Sequence, residues 1–362
     1  MLEEAQRRRA PSGQAGGDVT YNDRIGDRRT KPGKERRTAM RAAVVGTGAM
    51  GSLMSLLLDG AGMEVVVYER REERLAGIRM NGIRVRGVLG GEVAPRIGIA
   101  GEAAEPYDIM ILAVSATETG DALRPLSPFV HRDTIYISMQ DGNAVSVLAG
   151  LVGEERAFGA LGWVSACETP AGEVEVEDCR SLVLGAFVPG REERLVHLVE
   201  VMEAACPGKA RVTDDLEGEI WKRLEAAAAV SGLCTIAGTV PQEARALGDL
   251  DALCGDAAEE CRQAASTIGR GPDTSISPWE DAVWGRLKPP MLRDIEAGRK
   301  TEAAWMNGRI VEQARAAGIA VPVQSAMLTL VKEMESGLRR PGEAALNELS
   351  RRIAEEQGMS LS

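Results

Sequence analysis

Residues 41–51 read RAAVVGTGAMG, and this stretch decides the fold. Arg41–Val45 is the short apolar run that is typical of a buried strand, and the glycines after it open an apolar helical run over Ser52–Leu58. Further glycines end that helix, and Glu64–Tyr68 has the composition of a second strand. A strand, a glycine turn, a helix and a strand within about 30 residues predict a βαβ unit.

The glycines of this turn have the G-x-G-x-x-G spacing of a dinucleotide-binding loop. Gly46 permits the tight turn, and Gly48 lets the backbone approach a pyrophosphate. Gly51 allows the helix to pack closely against the strand. Because the loop follows a predicted strand and opens a predicted helix, the sequence indicates a nicotinamide dinucleotide as cofactor.

The residues around this loop bear on which cofactor binds. Ala49 and Met50 open the helix whose N-terminus would meet the pyrophosphate charge. Glu69 ends the second strand about 20 residues further on, where an acidic side chain suits the ribose hydroxyls of NAD(H). Arg70 and Arg71 follow it and could instead bind the 2′-phosphate of NADP(H). The prediction is therefore NADP(H) or NAD(H), with the local chemistry slightly favouring NADH.

Strand and helix patterns alternate to about Thr213, and long amphipathic runs follow. Long helices are predicted over Leu216–Ala237, Gln242–Ile268, Met291–Ala317 and Pro322–Ser336. The predicted fold class is α/β, with a Rossmann dinucleotide-binding domain over residues 40–213. An all-helical domain for substrate binding and dimerisation is expected over residues 214–340, and a charged tail over 341–362. Since ligands bind outside the carboxyl ends of parallel strands, we expect the active cleft between the two halves.

Composition excludes several classes of function. The 362 residues carry a net charge of −11 and only 3% aromatic side chains, so nucleic-acid binding is not expected. No apolar run is long enough for a membrane span. Six cysteines without a C-x-x-C pair predict a reduced, cytoplasmic protein, and two histidines argue against a metal site. Residues 1–39 are basic and rich in glycine, which predicts a disordered tail.

Further motifs lie directly after a predicted strand and within the predicted helical half. They are Gln140-Asp141-Gly142, Trp221-Lys222-Arg223-Leu224, Asp294–Glu302, Asn307-Gly308, Gly318-Ile319 and Pro322. Together with the glycine loop, they resemble the ketopantoate reductase family, whose members reduce 2-dehydropantoate with NADPH. The resemblance extends from Met40 to Glu335 and implies the same fold, cofactor class and type of reaction.

The resemblance also implies roles for individual residues. Arg223 falls on the family's catalytic lysine, Lys222 lies one place early, and Glu302 retains a family glutamate. The family's other polar positions fall on Asp141, Ala227, Ser231, Ser115 and Pro290. The implied site residues are Arg223, Lys222 and Glu302 for catalysis, Ser231, Asp141 and Asn307 for substrate, and Ser115 and Gln140, with the glycine loop, for cofactor.

Arginine in place of lysine changes the chemistry that this position can perform. Burial readily lowers the pKa of a lysine, which can then donate a proton, whereas an arginine stays charged. Arg223 could therefore bind a carboxylate or polarise a carbonyl, while Lys222 points about 100° away on the helix. We predict reduction of a small 2-oxo acid, ketopantoate or a diverged relative, to the 2-hydroxy acid. The alternatives are a 3-hydroxyacid-type dehydrogenase and a catalytically silent NAD(P)-binding sensor.

Overall fold

The computed structural model describes residues 40–99, 101, 105–270, 277–282 and 285–358, so the tail predicted over 1–39 lies outside the described residues. The strands are β1 (Arg41–Val45), β2 (Glu64–Tyr68), β3 (Ile83–Gly87), β4 (Gly91–Val93), β5 (Arg96–Ile97), β6 (Tyr107–Leu112), β7 (Val130–Ser138), β8 (Ala157–Glu168), β9 (Val174–Ala186) and β10 (Ala210–Thr213). The helices are α1 (Ala49–Gly60), α2 (Glu72–Asn81), α3 (Thr119–Leu123), α4 (Ala144–Val152), α5 (Glu193–Ala205), α6 (Leu216–Ala237), α7 (Pro241–Ala244), α8 (Leu250–Ser266), α9 (Pro278–Asp281), α10 (Pro290–Glu296), α11 (Asn307–Ala317), α12 (Pro322–Glu335) and α13 (Glu343–Glu356).

These strands form one sheet in the order β4-β3-β9-β8-β7-β6-β1-β2-β5, and β10 pairs with β9. In this sheet order, each pair of neighbours from β8 through β7, β6, β1 and β2 to β5 is parallel. Strands β8 and β9 pair antiparallel. The predicted Rossmann arrangement with a mainly parallel sheet is confirmed. Ala157–Glu168 is a strand that the residue pattern does not predict, because its glycines and alanines weaken the strand signal.

Strand β1 shows why its uninterrupted apolar run is needed. Ala42 and Val44 belong to the apolar cluster that includes Leu53 of α1, whereas Ala43 and Val45 belong to the cluster on the other face of the sheet. Both faces of the strand are therefore covered, as is usual for strands of a parallel sheet.

Helix α6 runs through the helical half and contacts α8, α10 and α12. Its Trp221 side chain is 1% exposed and belongs to the main apolar cluster of this half. Two of the predicted long helices are interrupted: Gln242–Ile268 is divided into α7 and α8, and Met291–Ala317 into α10 and α11. The second interruption contains Gly298, with a φ of +66°, and the turn that carries Glu302.

The segment predicted as a charged tail over 341–362 contains helix α13, so that prediction is wrong for Glu343–Glu356. Its Ala345, Leu349 and Ile353 are spaced four residues apart and belong to the same buried apolar cluster as Trp221. One apolar face at helical spacing therefore holds this charged segment against the domain. No described helix is both long enough and apolar enough to cross a bilayer.

Candidate active site

The glycine loop between β1 and α1 has the geometry that its spacing predicts. Gly46 has a φ of +91°, and a Cβ there would lie 2.8 Å from the carbonyl oxygen of Ala113. A Cβ on Gly51 would lie 1.9 Å from the carbonyl oxygen of Gly46. A Cβ on Gly48 would meet no protein atom within 4 Å. Gly46 and Gly51 are thus required by the protein's own backbone, whereas Gly48 leaves open space in front of the helix.

The start of α1 fits a cofactor pyrophosphate. Gly48 is the N-cap and offers no side chain to the first-turn N–H groups, and no acidic residue lies in that turn. Ala49 and Met50 can contribute their backbone N–H groups, which is how helix N-termini bind phosphate. The Met50 side chain instead lies against the sheet, since a Cβ on Gly162 would be 3.1 Å from its Cε.

Glu69 lies beside the glycine loop, as its position after β2 predicts. Its Oε2 accepts hydrogen bonds from Thr47 Oγ1 at 2.7 Å and from Thr47 N at 3.2 Å. Arg71 donates to the same carboxylate from its backbone N and its guanidinium. Burial acts to raise the pKa of Glu69, but the hydrogen bonds from Arg71 and Thr47 outweigh it and lower the pKa to about 2. The carboxylate is therefore charged throughout the physiological range.

The arginines near Glu69 are all paired within the protein. Arg70 forms an ion pair with Glu118, and Arg71 also pairs with Glu168 at 3.0 Å. Arg74, which the sequence did not mark as a site residue, is buried and donates to the Thr47 carbonyl at 3.1 Å and to Ser52 Oγ at 2.9 Å. Arg74 thus positions the glycine loop; the only sequence signal is its place in the first turn of α2.

Gln140 is placed below the site rather than in it. Its side chain is 5% exposed, and its Nε2 donates to the Val114 carbonyl at 2.7 Å and to Thr119 Oγ1 at 2.9 Å. Ser138 Oγ donates to its Oε1 at 2.9 Å. Gln140 therefore positions the loop after β6, whose Val114 lies beside Gly46, and its cofactor role stays a prediction.

A cleft of about 260 Å³, counting the space open to solvent, lies between the two halves near the carboxyl end of β7. It is lined by Asp141, Ser231, Pro290, Met291, Asp294, Glu302 and Met306. The predicted residues Asp141, Ser231 and Glu302 are therefore brought together at the expected interface.

Arg223, on α6, pairs with Asp141, which lines this cleft. Its Nε lies 3.1 Å from Asp141 Oδ1, and its guanidinium lies 5.7 Å from the centre of the Trp163 ring. The side chain of Arg223 is only 9% exposed. Arg223 and Asp141, which the resemblance places at the family's lysine and asparagine, form an ion pair with each other that links the loop after β7 to α6.

The loop that carries Asp141 is seated on the turn that carries Glu302. Gly142 has a φ of +74°, and a Cβ there would lie 2.1 Å from the carbonyl oxygen of Trp305. Asn143 N donates to the same carbonyl at 3.2 Å. Only glycine permits this approach, so Gly142 sets the position of Asp141 relative to Glu302.

Glu302 joins the helical half to the loop after β6. Its Oε1 accepts hydrogen bonds from Ala116 N at 2.8 Å and from Ser115 Oγ at 3.3 Å. Burial raises the pKa of Glu302 to about 7; the bond from Ala116 N opposes this shift, and the charges of Asp141 and Asp294 add to it. Ser115, predicted to contact the cofactor, thus lies within reach of Glu302.

Two predicted site residues are not brought to the cleft. Lys222 lies on the outer side of α6, where its Nζ donates to Glu219 at 3.0 Å and its side chain is 44% exposed. Asn307 is fully buried, and its Nδ2 donates to the Ala228 carbonyl and to Gln324 Oε1. The structure therefore gives Asn307 a place in the core between α6, α11 and α12 rather than in the substrate site. Within the described ranges, no group of three or more potential side-chain ligands is arranged to hold a metal ion.

Comparisons with known sequences agree with this arrangement. The model of the family described as ketopantoate reductase PanE/ApbA matches residues 42–189, and the model of its C-terminal domain matches residues 215–335. A 2-dehydropantoate 2-reductase of Pyrococcus horikoshii is 26% identical over 307 residues, which cover 82% of this chain and 98% of the relative. An uncharacterized oxidoreductase of Bacillus subtilis, YkpB, is 23% identical and covers 78% of this chain and 95% of its own.

Solved structures show the same fold. A D-mandelate dehydrogenase with NADH and anilino(oxo)acetate aligns with a TM-score of 0.75 at 22% identity, covering 83% of this chain and 99% of that one. The 2-dehydropantoate 2-reductase of Geobacter metallireducens aligns with a TM-score of 0.73 at 25% identity, covering 81% and 99%. The chain belongs to the ketopantoate reductase family and is an NAD(P)-dependent oxidoreductase acting on CH–OH groups.

Proposed function

We propose that this enzyme reduces a small 2-oxo acid, ketopantoate or a diverged relative, to the 2-hydroxy acid. The observation that carries the proposal is the cleft between the two halves, which brings Asp141, Ser231 and Glu302 together within reach of the glycine-loop side of the sheet. Arg223, on α6, is joined to the same cleft through its ion pair with Asp141. The relatives named above as 2-dehydropantoate 2-reductases and the mandelate dehydrogenase support the same class of substrate.

The residues of the cleft suit such a substrate. Arg223 directs Nε and Nη2 to Asp141 at 3.1 and 3.5 Å, and its charge beside that residue favours binding of the substrate's carboxylate or carbonyl oxygen. Ser231, 1% exposed and two turns further along α6, supplies a hydroxyl, and Met291 and Met306 supply an apolar wall. The bound nicotinamide supplies the hydride. Removing water from the cleft strengthens these charge interactions.

A substrate panel tests this proposal directly. Purified enzyme is mixed with NADH or NADPH and with ketopantoate, other branched 2-oxo acids and aromatic 2-oxo acids, and oxidation of the cofactor is followed by absorbance. We expect turnover of at least one small 2-oxo acid. In a parallel assay with NAD⁺ or NADP⁺, faster oxidation of 3-hydroxy acids would instead identify a 3-hydroxyacid-type dehydrogenase. Cofactor binding without turnover across the panel would favour the sensor.

We further propose that NADH is the preferred cofactor. Glu69 keeps its charge at the end of β2, where the 2′-phosphate of NADPH would lie. The arginines that could neutralise that phosphate are engaged: Arg70 with Glu118, and Arg71 with Glu69 and Glu168. The mandelate dehydrogenase of the same fold is solved with NADH, which agrees with this preference.

This preference predicts the effect of two substitutions. We expect wild-type enzyme to bind NADH about tenfold more tightly than NADPH, a difference of about 1.4 kcal/mol. Glu118→Gln should strengthen NADPH binding and leave NADH binding nearly unchanged, because it frees the exposed Arg70 without touching the loop. Glu69→Gln should also reduce the difference between the NADH and NADPH affinities, because it removes the negative charge that repels the 2′-phosphate of NADPH. Fluorescence titrations with both cofactors measure these constants, and tighter wild-type binding of NADPH would contradict the preference.

Two broader expectations accompany the proposed reaction. We place the enzyme in the cytoplasm, because its six cysteines are free thiols and five of them are buried. A homodimer formed through residues 214–340 stays a prediction, which light scattering of the purified protein would check. No partner other than the small-molecule substrate and the cofactor is proposed.

A further inference from the structure

Reduction of a carbonyl leaves a developing alkoxide that needs a proton, and the obvious donors are missing from the cleft. A guanidinium is a poor acid, so Arg223 is not a suitable donor. Lys222 lies on the outer side of α6 with Glu219. Of the two histidines, His131 lies beside Asp108 and His197 beside Glu200, and neither lines the cleft. The proton must come from another group.

Glu302 has the position that a donor needs. Ala116 N and Ser115 Oγ both donate to its Oε1, so these two bonds fix the carboxyl group and leave Oε2 as the oxygen that can carry a proton toward the cleft. The same cleft is lined by Ser231 and Asp141, to which Arg223 is paired. A carbonyl bound beside Asp141 in this cleft would therefore also face Glu302.

The charges that face Glu302 favour its protonated form. Asp141 and Asp294 line the same cleft and are both acidic. Their own basic partners are Arg223, with Nε 3.1 Å from Asp141, and Arg299, 2.7 Å from Asp294. Glu302 forms no ion pair with a basic side chain of the described residues, so it is the carboxyl of the cleft whose charge is not neutralised by a partner.

We propose that Glu302 is the proton donor of the reduction in this enzyme, in the place of the lysine that Arg223 replaces. The role rests on the proposed 2-oxo acid reduction. The carbonyl carbon accepts the hydride of NAD(P)H, and the C=O π bond becomes a C–O single bond. The carbonyl oxygen takes the proton of Glu302 Oε2 through the breaking O–H bond. The cofactor is oxidised, the substrate is reduced to the hydroxy acid, and Glu302 regains its proton from solvent.

The protonation of Glu302 can be measured without substrate or cofactor. Burial and the neighbouring carboxylates raise its pKa to about 7, so ionising it opposes folding as the pH rises from about 4.5 to 7. Glu302→Gln removes this effect. We expect the variant's Tm to be nearly the same as the wild type's at pH 4.5, to exceed it increasingly up to pH 7, and to keep a constant margin above pH 7. A difference that does not change with pH would overturn the proposal.

Kinetics then separate a donor from a positioning residue. Because the acid form is required, wild-type kcat/KM for reduction should be constant below pH 7 and fall tenfold per pH unit above it. Glu302→Gln should lower kcat/KM by 100-fold or more and abolish this falling limb, since general acids contribute about 10²–10⁴-fold. Glu302→Asp should keep the limb at a reduced rate. A Glu302→Gln enzyme that is slow but retains the limb would overturn the donor role.

Glu260→Gln is the matched control. Glu260 also has its pKa raised by burial to about 7, but it accepts hydrogen bonds from Val323 N and Gln324 N at the start of α12, away from the cleft. This variant should leave the pH dependence of kcat/KM unchanged. Wild-type enzyme that turns over no 2-oxo acid would overturn the proposed function and the donor role together. An unchanging Tm difference would overturn the donor role alone.

Discussion

Gly51→Ala should destabilise the protein severely and abolish cofactor binding. The new Cβ would lie 1.9 Å from the carbonyl oxygen of Gly46, and that atom is backbone, so it cannot turn aside as a flexible side chain could. Moving the loop would also disturb Thr47, to which Glu69 and Arg74 are bonded. We expect a loss of about 3 kcal/mol or more, which corresponds to a fall in Tm of roughly 6–12 °C. Thermal unfolding and NADH titration measure the two effects.

Gly48→Ala is the control for this prediction, because the two glycines serve different purposes. A Cβ at residue 48 meets no protein atom within 4 Å, so the Tm should stay within about 2 °C of the wild type. The same methyl group would occupy the space that the pyrophosphate approaches, and NADH affinity should fall at least 100-fold. A Gly48→Ala protein that binds NADH normally would contradict the placement of the cofactor on α1.

Restoring the family's polar residues should make the enzyme a better ketopantoate reductase. The variant combines Arg223→Lys, Asp141→Asn and Ser231→Asn. A lysine can donate the proton that arginine holds, and the asparagine at 141 no longer pairs with the side chain at 223. We expect kcat/KM for ketopantoate to rise about tenfold, less than the roughly 10²–10⁴-fold that a proton donor contributes, because Glu302 is already the donor proposed above. Steady-state kinetics with ketopantoate measure the gain.

Ala227 is left unchanged in this variant because it is 1% exposed and packed in the core, where an asparagine would need space and hydrogen-bond partners. Asp141→Asn alone serves as control: it removes the anionic partner of buried Arg223 and should lower stability without raising ketopantoate turnover. If the combined variant folds and ketopantoate turnover does not rise, the placement of Arg223 at the lysine position is wrong.

The nucleotide-binding half was predictable because its signals are local. Strand β1, the glycine loop and Glu69 all lie within 30 residues. Each is marked by a local pattern with a known structural cause: an apolar run, a glycine spacing and an acidic residue after the second strand. The interruption between α10 and α11 was not predictable from periodicity, because the residues on both sides of Gly298 continue a helical pattern. Helix α13 was missed since its few apolar residues are spread among many charges.

The sequence predicted which residues meet at the site, but not which of them form an ion pair. Motifs placed Asp141, Arg223 and Glu302 at one interface, and the structure brings these three together. The ion pair between Asp141 and Arg223 joins positions that are 82 residues apart, and no local pattern encodes it. The role of Arg74 was not predictable for the same reason. It positions the glycine loop through a hydrogen bond to the Thr47 carbonyl, and that residue lies on a different element of the chain.

The pairing of Asp141 with Arg223 has a consequence for how such a site changes over generations. With an asparagine at residue 141, the nearly buried guanidinium of Arg223 would lose its carboxylate partner, and removing one partner of such a pair costs several kcal/mol. The acidic and basic substitutions should therefore be inherited as a couple. Relatives with arginine at the position of Arg223 should therefore carry an acid at the position of Asp141.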